Sequence, residues 1–197
     1  MPLQHFHIQH KGFDSSKQTE IIADAYFEQR LLEGGVFHAD MERVAAADFR
    51  IDRGEYSLPV FAQGSIPAGW ITFGFLAPAR EPMWINGRLV ERTDFLLLAE
   101  ESPIDARVFP GTTWNAVQVR RESLQLASLI VNRRELPLPS RGNASLKLAP
   151  HQAAKLRRLV EGAILQGRMV ARGVMGDSEM PQRMLSELAI ILAGALV

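Results

Sequence analysis

Met83-Trp84-Ile85-Asn86-Gly87-Arg88-Leu89-Val90 decides the fold class of this 197-residue chain. Asn-Gly tolerates positive φ at both central positions of a two-residue turn, and strand-forming residues flank it on each side, so the string predicts a β-hairpin. Strand patterns continue in both directions. Upstream, Trp70-Ile71-Thr72-Phe73-Gly74-Phe75-Leu76 sets Ile71, Phe73 and Phe75 on one face. Further strands are predicted at Tyr26 to Leu32, Val36 to Val44 and Ala47 to Asp52. In the last of these Ala47, Phe49 and Ile51 alternate with Asp48, Arg50 and Asp52, which predicts one buried and one solvated face. Downstream, strands fit Asp94 to Leu98, Ala106 to Phe109 and Asn115 to Arg120. Many short strands punctuated by Gly54, Pro59, Gly64, Pro67 and Gly69 predict a barrel or double-sheet roll from Tyr26 to about Asn132.

Both flanks read differently. Met1 to His10 is a polar extended arm, and Ser15 with Gln18 forms a capping-box pattern before Ile21, Ile22 and Ala25, which predicts a short helix. After the barrel, Leu136-Pro137-Leu138-Pro139-Ser140-Arg141-Gly142-Asn143 has the composition of a linker. Leu156, Leu159, Val160, Ala163 and Ile164 then recur at helical spacing behind Pro150, with Lys155, Arg157, Arg158 and Glu161 opposite. A second helix from about Pro181 carries Met184, Leu185, Leu188, Ile191, Leu192 and Ala195 on one stripe and broadens until nearly every side is apolar, so something must cover it. The expected division is 1–135 for barrel, arm and short helix, 136–148 for a linker, and 149–197 for a helical segment.

Composition narrows the chemistry. With 47% apolar and 22% charged residues the chain is an ordinary folded domain, and without Cys it has no disulfide, thiolate nucleophile or Cys-ligated zinc. Neither a signal-peptide pattern nor a run of about 20 apolar residues is present, so no membrane partner and a cytoplasmic location are expected. Lys plus Arg equals Asp plus Glu at 22 each, which gives no overall argument for nucleic acid. The charge is nevertheless uneven: residues 120–172 carry eleven basic against three acidic residues, a net of +8 balanced elsewhere.

Three strings, Ile66-Pro67-Ala68-Gly69-Trp70-Ile71-Thr72-Phe73-Gly74, then Trp84-Ile85-Asn86-Gly87-Arg88-Leu89, then Asp94-Phe95-Leu96-Leu97-Leu98, resemble in order and spacing the N-terminal sensing domain of AraC-type transcriptional regulators. The resemblance runs from about Phe13 onward. It implies a mainly β fold with α, a cupin-like double-stranded β-barrel or jelly roll followed by a C-terminal helical dimerisation segment. It further implies a homodimer, a possible small-molecule effector, and DNA reading only through a helix-turn-helix domain absent from these residues. The expected function is therefore effector sensing and dimerisation by binding, not catalysis. The alternatives are a small metal-dependent cupin enzyme and a stand-alone partner of a full-length regulator.

Site residues follow from both readings. The barrel segment holds one His, His38, and Phe109-Pro110-Gly111-Thr112-Thr113-Trp114-Asn115 resembles the second cupin motif with Trp114 where the ligating His would sit. No cofactor and no catalytic residue are expected, since no Ser-His-acid set, nucleophile elbow or phosphate loop is legible. The weak metal candidates are His5, His7 and His10 of the arm, because neutral imidazoles ligate zinc or nickel and alternate positions of an extended segment face one way. Trp70, Phe73, Phe75, Trp84, Phe95, Phe109 and Trp114 are the expected ligand pocket, small-molecule sites being mostly apolar with a few polar anchors. Arg50 and Arg107 are conceivable anchors for an acidic effector but read as solvent-facing. Leu156, Leu159, Leu185, Leu188, Ile191 and Leu192 are the expected dimer interface.

Overall fold

The computed structural model describes residues 3–14, 19–77, 82–175 and 179–196. Among these residues, thirteen strands form two antiparallel sheets laid face to face. The large sheet takes, in spatial order, β1 (Gln4–Lys11), β4 (His38–Ala45), β5 (Phe49–Tyr56), β12 (Trp114–Arg120), β7 (Trp70–Leu76), β10 (Phe95–Leu98) and β13 (Asn143–Leu146). The small sheet takes β2 (Thr19–Ile22), β3 (Ala25–Leu31), β6 (Val60–Ser65), β11 (Pro103–Val108), β8 (Met83–Ile85) and β9 (Arg88–Val90). Three helices, α1 (Arg121–Asn132), α2 (Pro150–Ala171) and α3 (Met180–Ala195), cover the outer face of the large sheet.

This mainly β architecture with a helical C-terminal segment is the expected fold class, and the Asn86-Gly87 hairpin forms as predicted, with φ of 51° and 74°. Two cores result from the period-2 alternation of the large sheet. Phe49, Ile51, Ile71, Phe73, Val117 and Val119 pack outward against Leu156, Val160, Ile164, Leu188 and Ile191 of the helices. Met41, Tyr56, Trp70, Leu76, Trp114 and Ala116 point inward against Phe27, Val60, Ala62, Ile104 and Val108 of the small sheet.

Several expectations are corrected by this three-layer arrangement. Where Ile21, Ile22 and Ala25 are expected on a short helix, Thr19–Ile22 is a strand hairpinned to β3 through Asp24 at φ 60°, and the capping pattern at residues 15–18 lies outside the described residues. Burial of Ile21 and Ile22 between the sheets overrides the local helical signal. The arm is a full edge strand, paired along its length from Gln4↔Ala45 to Lys11↔His38. The polar face of β5 is not solvated, because the small sheet covers it and Asp52 is 1% exposed. The barrel does not extend to Asn132; Arg121 to Asn132 is helix, and its buried Leu124, Ala127 and Ser128 recur at i, i+3 and i+4. Within the expected linker, Asn143–Leu146 pairs with β10 and Leu136 is buried.

Candidate functional site

The space between the sheets is set by three registered pairs on β12 and β7: Trp114 opposite Leu76, Ala116 opposite Gly74, and Gln118 opposite Thr72. All lie on the inward face. Ala116 and Gly74 together supply one methyl group, so the middle layer of the wall is shallow while the layers above and below are not. A void results, bounded by Thr72, Gly74, Trp114 and Ala116 on the large sheet and by residues such as Phe27 and Ile104 opposite. It measures about 70 Å³, several times the ~10–15 Å³ that a single water needs.

Its walls are mostly apolar, with buried polar side chains at or near them. Thr72, Trp114 and Asn115 border the void, and Thr72 Oγ1, Trp114 Nε1 and Asn115 Nδ2 are buried without a hydrogen-bond partner; Gln118, 0% exposed, has neither end of its carboxamide bonded. The indole of Trp114 lies on Gly54, where a Cβ would come within 2.5 Å of Cζ2, so the ring depends on that glycine for its position. Tyr56, which also borders the void, accepts a hydrogen bond from Gln29 Nε2 at 3.2 Å, and burial pushes its hydroxyl pKa well up.

Interior charges are closed on one another. Arg43 donates to Asp52 and to Glu20, each at 2.5 Å, and the Ala23 N–H donates to Asp52 at 3.1 Å. Burial pushes the Asp52 carboxyl above its ordinary value against the pull of Arg43. Arg50 bonds to Asp24 and stacks on Trp70 from 4.3 Å, as does Arg120. Arg50 therefore faces inward, contrary to expectation, while Arg107 is exposed as expected.

Of the seven aromatics expected in the pocket, Trp114 and Phe75 border the void, and the Phe75 ring lies 5.3 Å from that of Phe95. Phe73 and Phe95 belong to the helix-side core and Trp70 to the inner core between two guanidiniums. Trp84 is 41% exposed and Phe109 half-buried, both away from the void. Aromatic size selected them, whereas the void is made by small residues. Thr72 and Gln118 were missed, although alternation within their own strands puts a polar residue at an inward position.

The arm histidines are divided by the same alternation. His5 Nε2 meets Glu42 at 2.6 Å and His7 Nε2 meets Asp40 at 2.9 Å on the outer face, while His10 lies on the opposite face of β1. Among the described residues no group of three such side chains is placed to hold a metal ion. Glu42 also accepts from Arg168 Nε and Nη2, so β1, β4 and α2 meet at one carboxylate. The residues expected at a dimer interface are inside the single chain instead: Leu156, Leu159, Leu188, Ile191 and Leu192 are buried, and Leu185 packs against the same core. Exposed apolar side chains occur on α1, at Leu126, Leu129 and Ile130, where Ile130 is 71% exposed. No described helix is long and apolar enough to cross a membrane.

A roll of two antiparallel sheets with helices on one outer face is the fold found in an AraC-like transcriptional regulator. The chain is similar to the crystal structure of the AraC-like transcriptional activator CuxR, with a TM-score of 0.53 and 14% identity, over 85% of this chain and 61% of that one. At that identity the likeness is one of fold, and the chain spans about three-fifths of that protein's resolved length. No family model matches the sequence, and no curated protein does.

Proposed function

We propose that this chain is the effector-sensing and dimerisation unit of an AraC-type transcriptional regulator, with DNA reading carried by a helix-turn-helix domain beyond these residues. The observation that carries the reading is the void of the inter-sheet core, bordered by unpartnered buried polar atoms, in a fold shared with an AraC-like activator. Sites of this kind, apolar with a few polar groups, suit small molecules. Binding there acts on the regulator only if the ligand prefers one arrangement of the chain over another.

The homodimer is assigned to α1. Leu126, Leu129 and Ile130 present an i, i+3, i+4 stripe to solvent, with the exposed Ile190 on the neighbouring α3. A symmetric dimer needs one self-complementary patch, and a short apolar helix face meets that need. The test is a fusion of this chain to a DNA-binding domain that occupies its operator only as a dimer, read by a reporter and by sedimentation. Repression that is lost on Ile130→Glu and altered by small molecules from cell extract is expected. A monomeric fusion that never represses, with any extract, overturns the reading.

A further inference from the structure

The geometry points to an uncharged ligand for the inter-sheet void: a compact apolar molecule carrying one oxygen acceptor, such as a ketone, aldehyde or ester carbonyl. This rests on the sensing reading and specifies what is sensed. Three features of the wall argue for it.

Among the described residues, no ionised side chain borders the void. The interior cations are already used, Arg43 by Asp52 and Glu20, and Arg50 by Asp24 and Trp70. Among the described residues that border the void, an anionic ligand would lose its hydration and find no counter-charge, and a cationic one would meet no carboxylate. Charge is thereby selected against.

The second feature is the sign of the unpartnered group. An indole Nε1–H can donate and cannot accept, so Trp114 requires an acceptor on the ligand, and a purely hydrocarbon ligand would leave it unpaired. Asn115 Nδ2, on another lining residue, is likewise an unpartnered donor, while Thr72 Oγ1 either donates or accepts and sets no further requirement. The third is the position of the space. Between the Trp114 layer and the Thr72–Gln118 layer only Gly74 and Ala116 fill the wall, so the apolar body of the ligand rests on them. A larger residue at either position would occupy the ligand's volume.

The experiment compares three probes of nearly one shape by calorimetry and by the thermal shift of the full chain: acetophenone, α-methylstyrene, in which a methylene group replaces the carbonyl oxygen, and benzoate. Acetophenone is expected to bind about three- to tenfold more tightly than α-methylstyrene, the span of one ordinary hydrogen bond, and benzoate to bind least. Trp114→Phe should bring acetophenone down to the affinity of α-methylstyrene and leave the latter unchanged. Ala116→Leu should abolish binding of both. If that variant does not melt cooperatively, Thr72→Val, nearly identical in shape, should weaken acetophenone alone.

Equal affinity for acetophenone and α-methylstyrene, or tightest binding of benzoate, overturns the proposed ligand class while leaving the sensing site in place. Binding that Ala116→Leu does not affect, in a variant that folds, places the probes elsewhere and overturns the proposal. So does the absence of any shift with all three. The dimer-dependent reporter is independent of these probes, so failure here and failure of the regulator reading are read out separately.

Discussion

Glu42 receives both Nε and Nη2 of Arg168, at 2.5 and 2.6 Å, and so fixes β4, second from the edge of the large sheet, to α2. The same carboxylate takes His5 Nε2, which brings in the edge strand. Burial alone would push the Glu42 carboxyl up; the hydrogen bonds from Arg168 and His5 outweigh it and hold the pKa below its ordinary 4.5. A carboxyl lowered on folding stabilises the fold above its unfolded value, and that contribution is lost as pH falls through the folded value.

Glu42→Gln should therefore lower stability at pH 7 by about 1–2 kcal/mol, the range for a part-buried charge-assisted pair whose arginine is half in solvent. The difference from the parent should shrink as pH falls below 4.5, because the parent carboxylate is then being neutralised. Urea melts of both proteins at several pH values check this. A gap that widens on acidification would contradict the assignment.

Gly167 of α2 lies close against β4 and β1 of the large sheet. A Cβ there would lie 2.8 Å from Cγ2 of Val44 and 3.4 Å from Cβ of His5. Alanine ordinarily gains up to about 1 kcal/mol over glycine inside a helix, yet Gly167→Ala should destabilise, because overpacking costs about 1–3 kcal/mol. Adding Val44→Ala should return about 1 kcal/mol of that loss, a coupling that a double-mutant cycle measures directly.

Gly54→Ala should move Trp114. The added methyl would meet the indole at 2.5 Å, and the ring can relieve it only by rotating away from its present contact with the void. A change in tryptophan emission and a loss of acetophenone binding are expected together. Emission that changes while binding persists would mean that the ring position is not what the ligand reads.

Substitutions at two helical positions separate core from interface. Leu188 is 1% exposed, so Leu188→Asp should abolish cooperative unfolding outright, not yield a folded monomer. Leu129→Glu on α1, 46% exposed in the single chain, should leave the melt nearly unchanged and halve the mass seen by light scattering.

How much of this was legible beforehand depended on whether a signal was local. The Asn86-Gly87 hairpin, the alternation in Trp70–Leu76 and the stripe of α2 are encoded within a few residues, and they form where predicted. Strand β2 was misread because its pairing with β3 and burial of Ile21 and Ile22 between the sheets are long-range effects that a capping pattern near Ser15 does not report. The apolar stripes of Leu156 and Leu188 are legible in the sequence, but it does not say whether another chain or the outer face of the large sheet covers them. The void was illegible for a related reason: Gly74 and Ala116 are unremarkable alone and make space only because register sets them side by side.

Strand β13 has a consequence for where this chain can be cut. Its four residues, Asn143–Leu146, are bonded to Phe95–Leu98, a strand with four consecutive large apolar side chains. Expression of the roll alone, ended before residue 143, would strip that cover and leave a bare apolar strand at the margin of the sheet, open to pairing with the next molecule. Self-association into insoluble material is the expected fate of such a truncation, and ending the chain just after Leu146 would not prevent it, because α2 and α3 would still be missing from the outer face of the large sheet.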